Sequence, residues 1–244
     1  CGGTTFRGSI KKYDDTHGFF TGKIDEHPEY GMLNYVHLPL FMIKKIFPTI
    51  FEKIKTYDSI AIIRNPYKRF TSSLAQHINR YRENEIHKLS DKRIIEIAND
   101  VVDNLKNYKS DQLLPVEYIH FQPQISYIYL GNEKCVKHIY HMKDIKSAVQ
   151  LVENKTNESI TSQNLKMNKT VIYKNSAIRQ MIKLLNDAGL KPFLNPIYFK
   201  TKHLFLRDNN KINKIILGDN KVDDFISNFY KRDINFHKKL KRYE

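Results

Sequence analysis

Two short stretches of this 244-residue sequence have the residue types and spacing to hold a phosphate-like anion. The first is Cys1-Gly2-Gly3-Thr4-Thr5-Phe6, which runs straight into a segment of helical character. Paired glycines let a backbone turn tightly and approach a ligand, and a helix N-terminus aims unsatisfied N–H groups at it. Thr4 and Thr5 add hydroxyl donors. Taken alone, Gly-Gly-Thr-Thr also reads as a plain loop-to-helix turn, and the wider Gly-x-x-x-x-Gly-Lys-[Ser/Thr] spacing is absent. The second stretch is Ile60-Ala-Ile-Ile-Arg64-Asn-Pro66-Tyr-Lys-Arg69-Phe-Thr-Ser72. A hydrophobic strand delivers Arg64 at its C-terminal end, where open α/β sheets bind ligands. A helix started by Pro66 brings Ser72 round two turns later, so a guanidinium fork and a hydroxyl can share one phosphate. The competing reading is an arginine that caps the strand and pairs with a surface carboxylate.

The elements that must position these groups alternate along the chain. Residues 4–13 read as a helix capped by Thr4 or Thr5, and residues 14–35, punctuated by Gly18, Gly22, Pro28 and Gly31, read as irregular. An apolar helix over 38–47 ends at Pro48. The isoleucine-rich run 58–64 has the character of a buried parallel strand. Ile94, Ala98, Val101 and Leu105 recur at helical spacing after Ser90, a capping residue. Residues 137–141 predict a strand, followed by a helix from Asp144, and 175–188 predict a helix stopped by Gly189 and Pro192. Leu204-Phe-Leu, a turn at 208–210 and Ile215-Ile-Leu predict a β-hairpin. Val222, Phe225, Phe229, Phe236 and Leu240 predict closing helices. Strands alternating with helices imply an α/β fold with a central parallel sheet flanked by helices, as one domain over 1–244.

Composition narrows the partners. The net charge of +15 calls for an anionic one: nucleic acid, an acidic membrane surface, an acidic polysaccharide or a polyphosphorylated nucleotide. No apolar run approaches the roughly 20 residues of a membrane span. The opening residues carry neither a basic leader nor an apolar stretch, so no signal peptide is expected. With two cysteines, Cys1 and Cys135, both are expected to be reduced, and the cytoplasm is the expected compartment. The sequons at Asn154, Asn157 and Asn168 read as accidents of an Asn-rich composition. Cys135, His138 and His141 invite a zinc reading, but spacings of three on a strand send neighbours to opposite faces, so no metal is expected.

Together the two anion motifs resemble the PAPS-dependent sulfotransferases (PAPS is 3′-phosphoadenosine 5′-phosphosulfate), particularly the carbohydrate branch. That family's first motif is similar to Pro-Lys-[Thr/Cys]-Gly-Gly-Thr-[Ser/Thr], and Cys1 to Thr5 match its second half. Its second motif places a Pro shortly after an Arg and a Ser eight residues beyond it, the pattern of Arg64, Pro66 and Ser72. The segment Ile119-His120-Phe121-Gln122-Pro123-Gln124 resembles the His/Pro/Gln segment of Golgi carbohydrate sulfotransferases. Residues 139–151 resemble their strand-plus-helix continuation, and Tyr230-Lys-Arg-Asp233 their terminal Tyr-x-x-Asp helix. The resemblance implies a P-loop-like three-layer fold and no metal. It implies that Cys1, Gly2, Gly3, Thr4 and Thr5 hold the donor's 5′-phosphosulfate, and that Arg64 and Ser72 bind its 3′-phosphate. The family's catalytic lysine and first strand would precede Cys1, so the resemblance implies a sequence that starts inside the loop.

On the acceptor side, uronyl and heparan 2-O-sulfotransferases place a catalytic histidine in the interval where Tyr35-Val36-His37-Leu38-Pro39 stands. By resemblance His37 is the general base, with Glu26, His27 and Glu29 in the preceding loop as the fallback. His120 and Lys169 are candidate contacts to a carbohydrate acceptor, many of which are anionic; Lys166 and Asn168, just before Lys169, are candidates for contact with donor or an anionic sugar. The Golgi lumen is the alternative compartment should an N-terminal anchor have been removed. Two rivals stand beside this reading. A nucleotide-dependent phosphoryl kinase would use the same cradle with magnesium and a carboxylate to hold it. A basic nucleic-acid-binding protein would bind with a steep salt dependence and display stacking motifs, which the sequence does not show.

Overall fold

The computed structural model describes residues 6, 10–82, 86, 89–160, 180, 184 and 209–240. Among these, eight α-helices and six strands make a mixed α/β protein whose parallel sheet is small. The chain divides into two compact units, one of residues 1–70, 105–168 and 225–244, the other of residues 71–104 and 169–224.

The first unit carries all six strands. β1 (Ile24–His27) and β2 (Gly31–Asn34) form an antiparallel hairpin in the region expected to be irregular. Only Leu33 and Asn34 of its eight residues are buried, so the sequence lacks the apolar alternation that marks a half-buried strand. What makes the turn is Gly31, whose φ of 67° is open to glycine at little cost. Helix α1 (Leu40–Ile46) stops before Pro48 as expected, but the same proline opens α2 (Pro48–Thr56) from its first position. β3 (Ile60–Ile63) pairs in parallel with β6 (His138–His141), Ile60 opposite His138 and Ile63 opposite His141. A short hairpin, β4 (Tyr129–Leu130) with β5 (Glu133–Lys134), leads into β6.

Helices cover this parallel pair. Ile60, Ile62 and Tyr140 pack against a core of Phe6, Ile145, Ala148, Val149 and Ile160, in which α5 (Ile145–Thr156) supplies the middle. Ile63 packs with Ile128 and Val136 on a second core, which Ala61, Ile139, Phe236 and Leu240 close. Alternation along β3 thus sends successive residues to different cores, which is why the strand is apolar throughout.

The second unit takes most of α3 (Pro66–Tyr81) and α4 (Asp91–Leu105), with α6 (Asn209–Leu217) and the start of α7 (Asn220–Phe229); α8 (Lys231–Leu240) belongs to the first unit. Ser90 caps α4 by accepting from the Arg93 N–H, and Ile94, Ala98 and Val101 on its apolar stripe are fully buried. The hairpin expected after residue 204 is corrected here, because residues 209–217 are helical. Ile212, Ile215 and Ile216 fall at i, i+3 and i+4, a helical period that overrides the β-branched character of the run. Asp219 then caps α7 through the Val222 N–H. Of the helix expected over 4–13, only a 3₁₀ turn at Lys11–Tyr13 lies among continuously described residues, and 175–188 fall almost wholly outside them.

No helix among the described residues is long and apolar enough to cross a membrane.

Candidate functional site

Arg64 is the first residue past the end of β3, and the pairing with β6 stops one residue before it. Its backbone is nevertheless fully engaged. The Arg64 N–H donates to Gln124 Oε1 at 2.8 Å, and Gln124 Nε2 donates to the Arg64 carbonyl at 2.8 Å. A side-chain carboxamide thus stands in for the next residue of a neighbouring strand. Immediately afterwards Asn65 caps α3, its Oδ1 accepting from the Lys68 N–H, and Pro66 occupies the first helical position. Strand end, cap and proline together aim the Arg64 side chain from the junction where a strand becomes a helix. The Arg64 guanidinium is half-buried, and burial holds its pKa below the usual arginine value; the positive charge of Arg69 pushes the same way.

Gln124 opens a 3₁₀ turn, Gln124–Tyr127, which Pro123 presets and α8 clamps. Asp233, only 3% exposed, accepts from the Gln124 N–H at 2.8 Å with one oxygen and from the Ile125 N–H at 2.9 Å with the other. Burial pushes the Asp233 carboxyl up, while Arg69 and the two amides favour its charged form. Tyr230, a turn earlier, donates its buried hydroxyl to the Phe121 carbonyl at 2.6 Å. On the other side of Pro123, Gln122 takes the Leu114 N–H and gives to the Gln112 carbonyl. The His/Pro/Gln segment and the Tyr-x-x-Asp helix, far apart in sequence, are therefore one hydrogen-bonded structure.

That structure also holds His37. The Tyr127 hydroxyl donates to the His37 carbonyl at 3.0 Å, three residues along the turn from the residue that holds Arg64. His37 ends a 3₁₀ turn, Tyr35–His37, whose start is capped by Asn34 through the Val36 N–H. Its ring meets the ring of His120 edge-on, with centroids 4.6 Å apart and planes at 76°. Both imidazoles are half-buried. Such a pair can accept or relay a proton, and a guanidinium such as that of Arg64 can fix an anion; the same short turn anchors both residues, through Gln124 and Tyr127.

Of the expected site residues, the structure thus brings His37 to His120 and roots Arg64 in the same segment. Ser72 lies on α3, half-buried and within the second unit. Cys1, Gly2, Gly3, Thr4, Thr5 and Lys169, with Lys166 and Asn168, lie outside the described residues. Glu26, His27 and Glu29 sit on the β1–β2 hairpin, where both glutamates are exposed and His27 Nδ1 accepts from the Glu29 N–H. His138 reaches Asp58 at 3.1 Å, His141 packs against His237 with centroids 4.6 Å apart, and Cys135 is a buried free thiol. Sequence reasoning gave no role to Gln124, Tyr127, Asp233 or Arg69. Gln124 and Asp233 stood inside motifs already quoted, but only their pairing across 109 residues shows what each does.

No protein-family model, curated protein or solved structure matches the chain. The resemblance described above rests on the motif residues themselves.

Proposed function

We propose that the protein is a PAPS-dependent sulfotransferase acting on a hydroxyl of an oligo- or polysaccharide. The observation that carries this reading is Arg64, held by its backbone at the end of a parallel strand, with a capped helix beginning two residues later. With it goes a P-loop-like three-layer fold in which the β3–β6 pair belongs to the central parallel sheet. The edge contact of His37 with His120 supports the acceptor half.

In this mechanism Arg64 binds the donor's 3′-phosphate, a role that the motif gives also to Ser72. The amides of Gly2, Gly3 and Thr4 take up charge as it develops on the leaving phosphate. The acceptor oxygen attacks sulfur in line, the bond from sulfur to the 5′-phosphate oxygen breaks, and His37 takes the hydroxyl proton. The products are a sulfate ester and 3′-phosphoadenosine 5′-phosphate (PAP). His120 and Lys169 contact the acceptor, and the +15 charge suits a polyanionic donor and acceptor alike.

Thermal shift in the presence of a chelator tests this against its rivals. PAP at a hundred times its dissociation constant should stabilise the protein by about 2.7 kcal/mol without metal. A shift with magnesium-ATP and none with PAP would replace the reading by a kinase, and a salt-sensitive shift with a DNA duplex alone by a nucleic-acid-binding protein.

A further inference from the structure

We infer that Gln124 is the positioning residue for Arg64 and that it sets how well the site tells a 3′-phosphorylated nucleotide from one without that phosphate. This rests on the donor-binding reading proposed above.

Regular pairing ends at Ile63, one residue before Arg64. The Gln124 carboxamide binds the Arg64 backbone with both its ends, at 2.8 Å each. Two bonds to the amide and carbonyl of one residue fix that residue's backbone orientation, and with it the direction in which its side chain leaves the strand. A guanidinium fork recognises phosphate through paired, direction-dependent N–H bonds, so its value depends on that aim. Among residues of this size only glutamine offers a donor and an acceptor at this reach.

The brace is itself held. Gln124 is 8% exposed, its N–H is bonded to Asp233, and the next N–H is bonded to the other oxygen of the same carboxylate. The preceding Phe121 carbonyl is taken by Tyr230. Nothing in this stack requires Gln124 to touch the nucleotide. Its effect on binding passes through Arg64.

Gln122 supplies a matched control. It too is a buried carboxamide making one donated and one accepted bond to backbone, but onto Gln112 and Leu114 rather than Arg64. Gln124→Met and Gln122→Met keep side-chain length and remove the polar groups. Isothermal titration of PAP and of adenosine 5′-phosphate against each folded protein gives the ratio of the two dissociation constants. In the wild type this ratio should be about ten to a hundred, the worth of a charge-assisted hydrogen bond. Gln124→Met should bring it to within about threefold of unity while adenosine 5′-phosphate binding changes little, and Gln122→Met should leave it in the wild-type range. A wild type that does not favour PAP overturns the donor reading itself. A wild type that does, with Gln124→Met discriminating equally well, overturns only the positioning role of Gln124; so does an equal loss in Gln122→Met, which would mark a general structural effect. Should Gln124→Met not fold, Gln124→Asn decides: it keeps the carboxamide but is too short for both bonds, so it should lose discrimination, and undiminished discrimination there overturns the inference.

Discussion

Replacing Tyr230 by phenylalanine removes one oxygen from the junction between α8 and the site-bearing segment. Tyr230 is 2% exposed, its hydroxyl donates at 2.6 Å to the Phe121 carbonyl, and Phe121 is wholly buried. The aromatic ring stays, with its neighbours Phe70 and Phe225, so little cavity forms. What is lost is one net hydrogen bond, about 0.5–1.5 kcal/mol, together with part of the penalty of about 1–3 kcal/mol for leaving a buried carbonyl unsatisfied. A loss near 2 kcal/mol is expected, whereas Tyr230→Ala, which also removes the ring, should cost about 3–5 kcal/mol by analogy with buried Phe→Ala changes. In urea, with a slope taken as about 3 kcal/mol per molar, Tyr230→Phe should lower the midpoint by about 0.7 M at unchanged slope. An alkaline signature accompanies it. Burial raises the pKa of the Tyr230 phenol, so the unfolded chain loses that proton first, and its contribution is present below about pH 10 and falls away above it. Tyr230→Phe should flatten this alkaline limb in part, since Tyr127 is raised by burial in the same way. A midpoint shift below about 0.2 M would refute the claim that the Phe121 carbonyl depends on this hydroxyl.

Arg64→Ala should weaken PAP about ten- to a hundredfold while hardly changing adenosine 5′-phosphosulfate, which lacks the 3′-phosphate; equal losses by titration would make Arg64 structural. His37→Ala should lower sulfate transfer to a polysaccharide panel by about a hundred- to ten-thousandfold with PAP affinity preserved, and a mutant keeping a third of the rate would send the search for a base to Glu26 and Glu29. Asp58, whose carboxyl is held well below the usual carboxylate range by Lys137, His138 and Lys155, should contribute stability above about pH 4 that is lost as pH falls. Melting temperature against pH should therefore drop less steeply on the acid side in Asp58→Asn, and an unchanged acid limb would show the cluster to be solvent-screened.

Where the sequence carried a strong local signal, the structure follows it. Residues 60–63 form a parallel strand, Pro66 opens a helix, Ser90 caps one, and Ile94, Ala98 and Val101 are its buried stripe. The β1–β2 hairpin escaped because its residues are mostly exposed, and the helix at 209–217 because isoleucine favours strands in isolation. For the site, Arg64 could be singled out from its place at a strand end, whereas His37 and His120 entered only through the family resemblance. The brace did not show, because Gln124 is unremarkable until Arg64, 60 residues earlier, and Asp233, 109 residues later, meet it. A one-dimensional pattern carries spacing along the chain, not proximity across it.

The parallel pairing of β3 with β6 also bears on how the chain is made. Ser59, just before β3, meets Lys137 78 residues later, and the cores that cover the strand draw on residues as distant as Phe236 and Leu240. At about 5–20 residues per second of synthesis, Ile60-Ala-Ile-Ile63 waits on the order of 4 to 16 seconds before its partner strand exists. For that interval an uncharged, isoleucine-rich segment stands as an open template for pairing with other nascent chains. Asp58 before it and Arg64, Lys68 and Arg69 after it bound the segment with charge, the positive cluster lying on its C-terminal side, the kind of flank that keeps such segments apart. On the proposed reading Arg64 would then serve the chain twice, first as a guard on its own strand during synthesis and afterwards as an anion ligand.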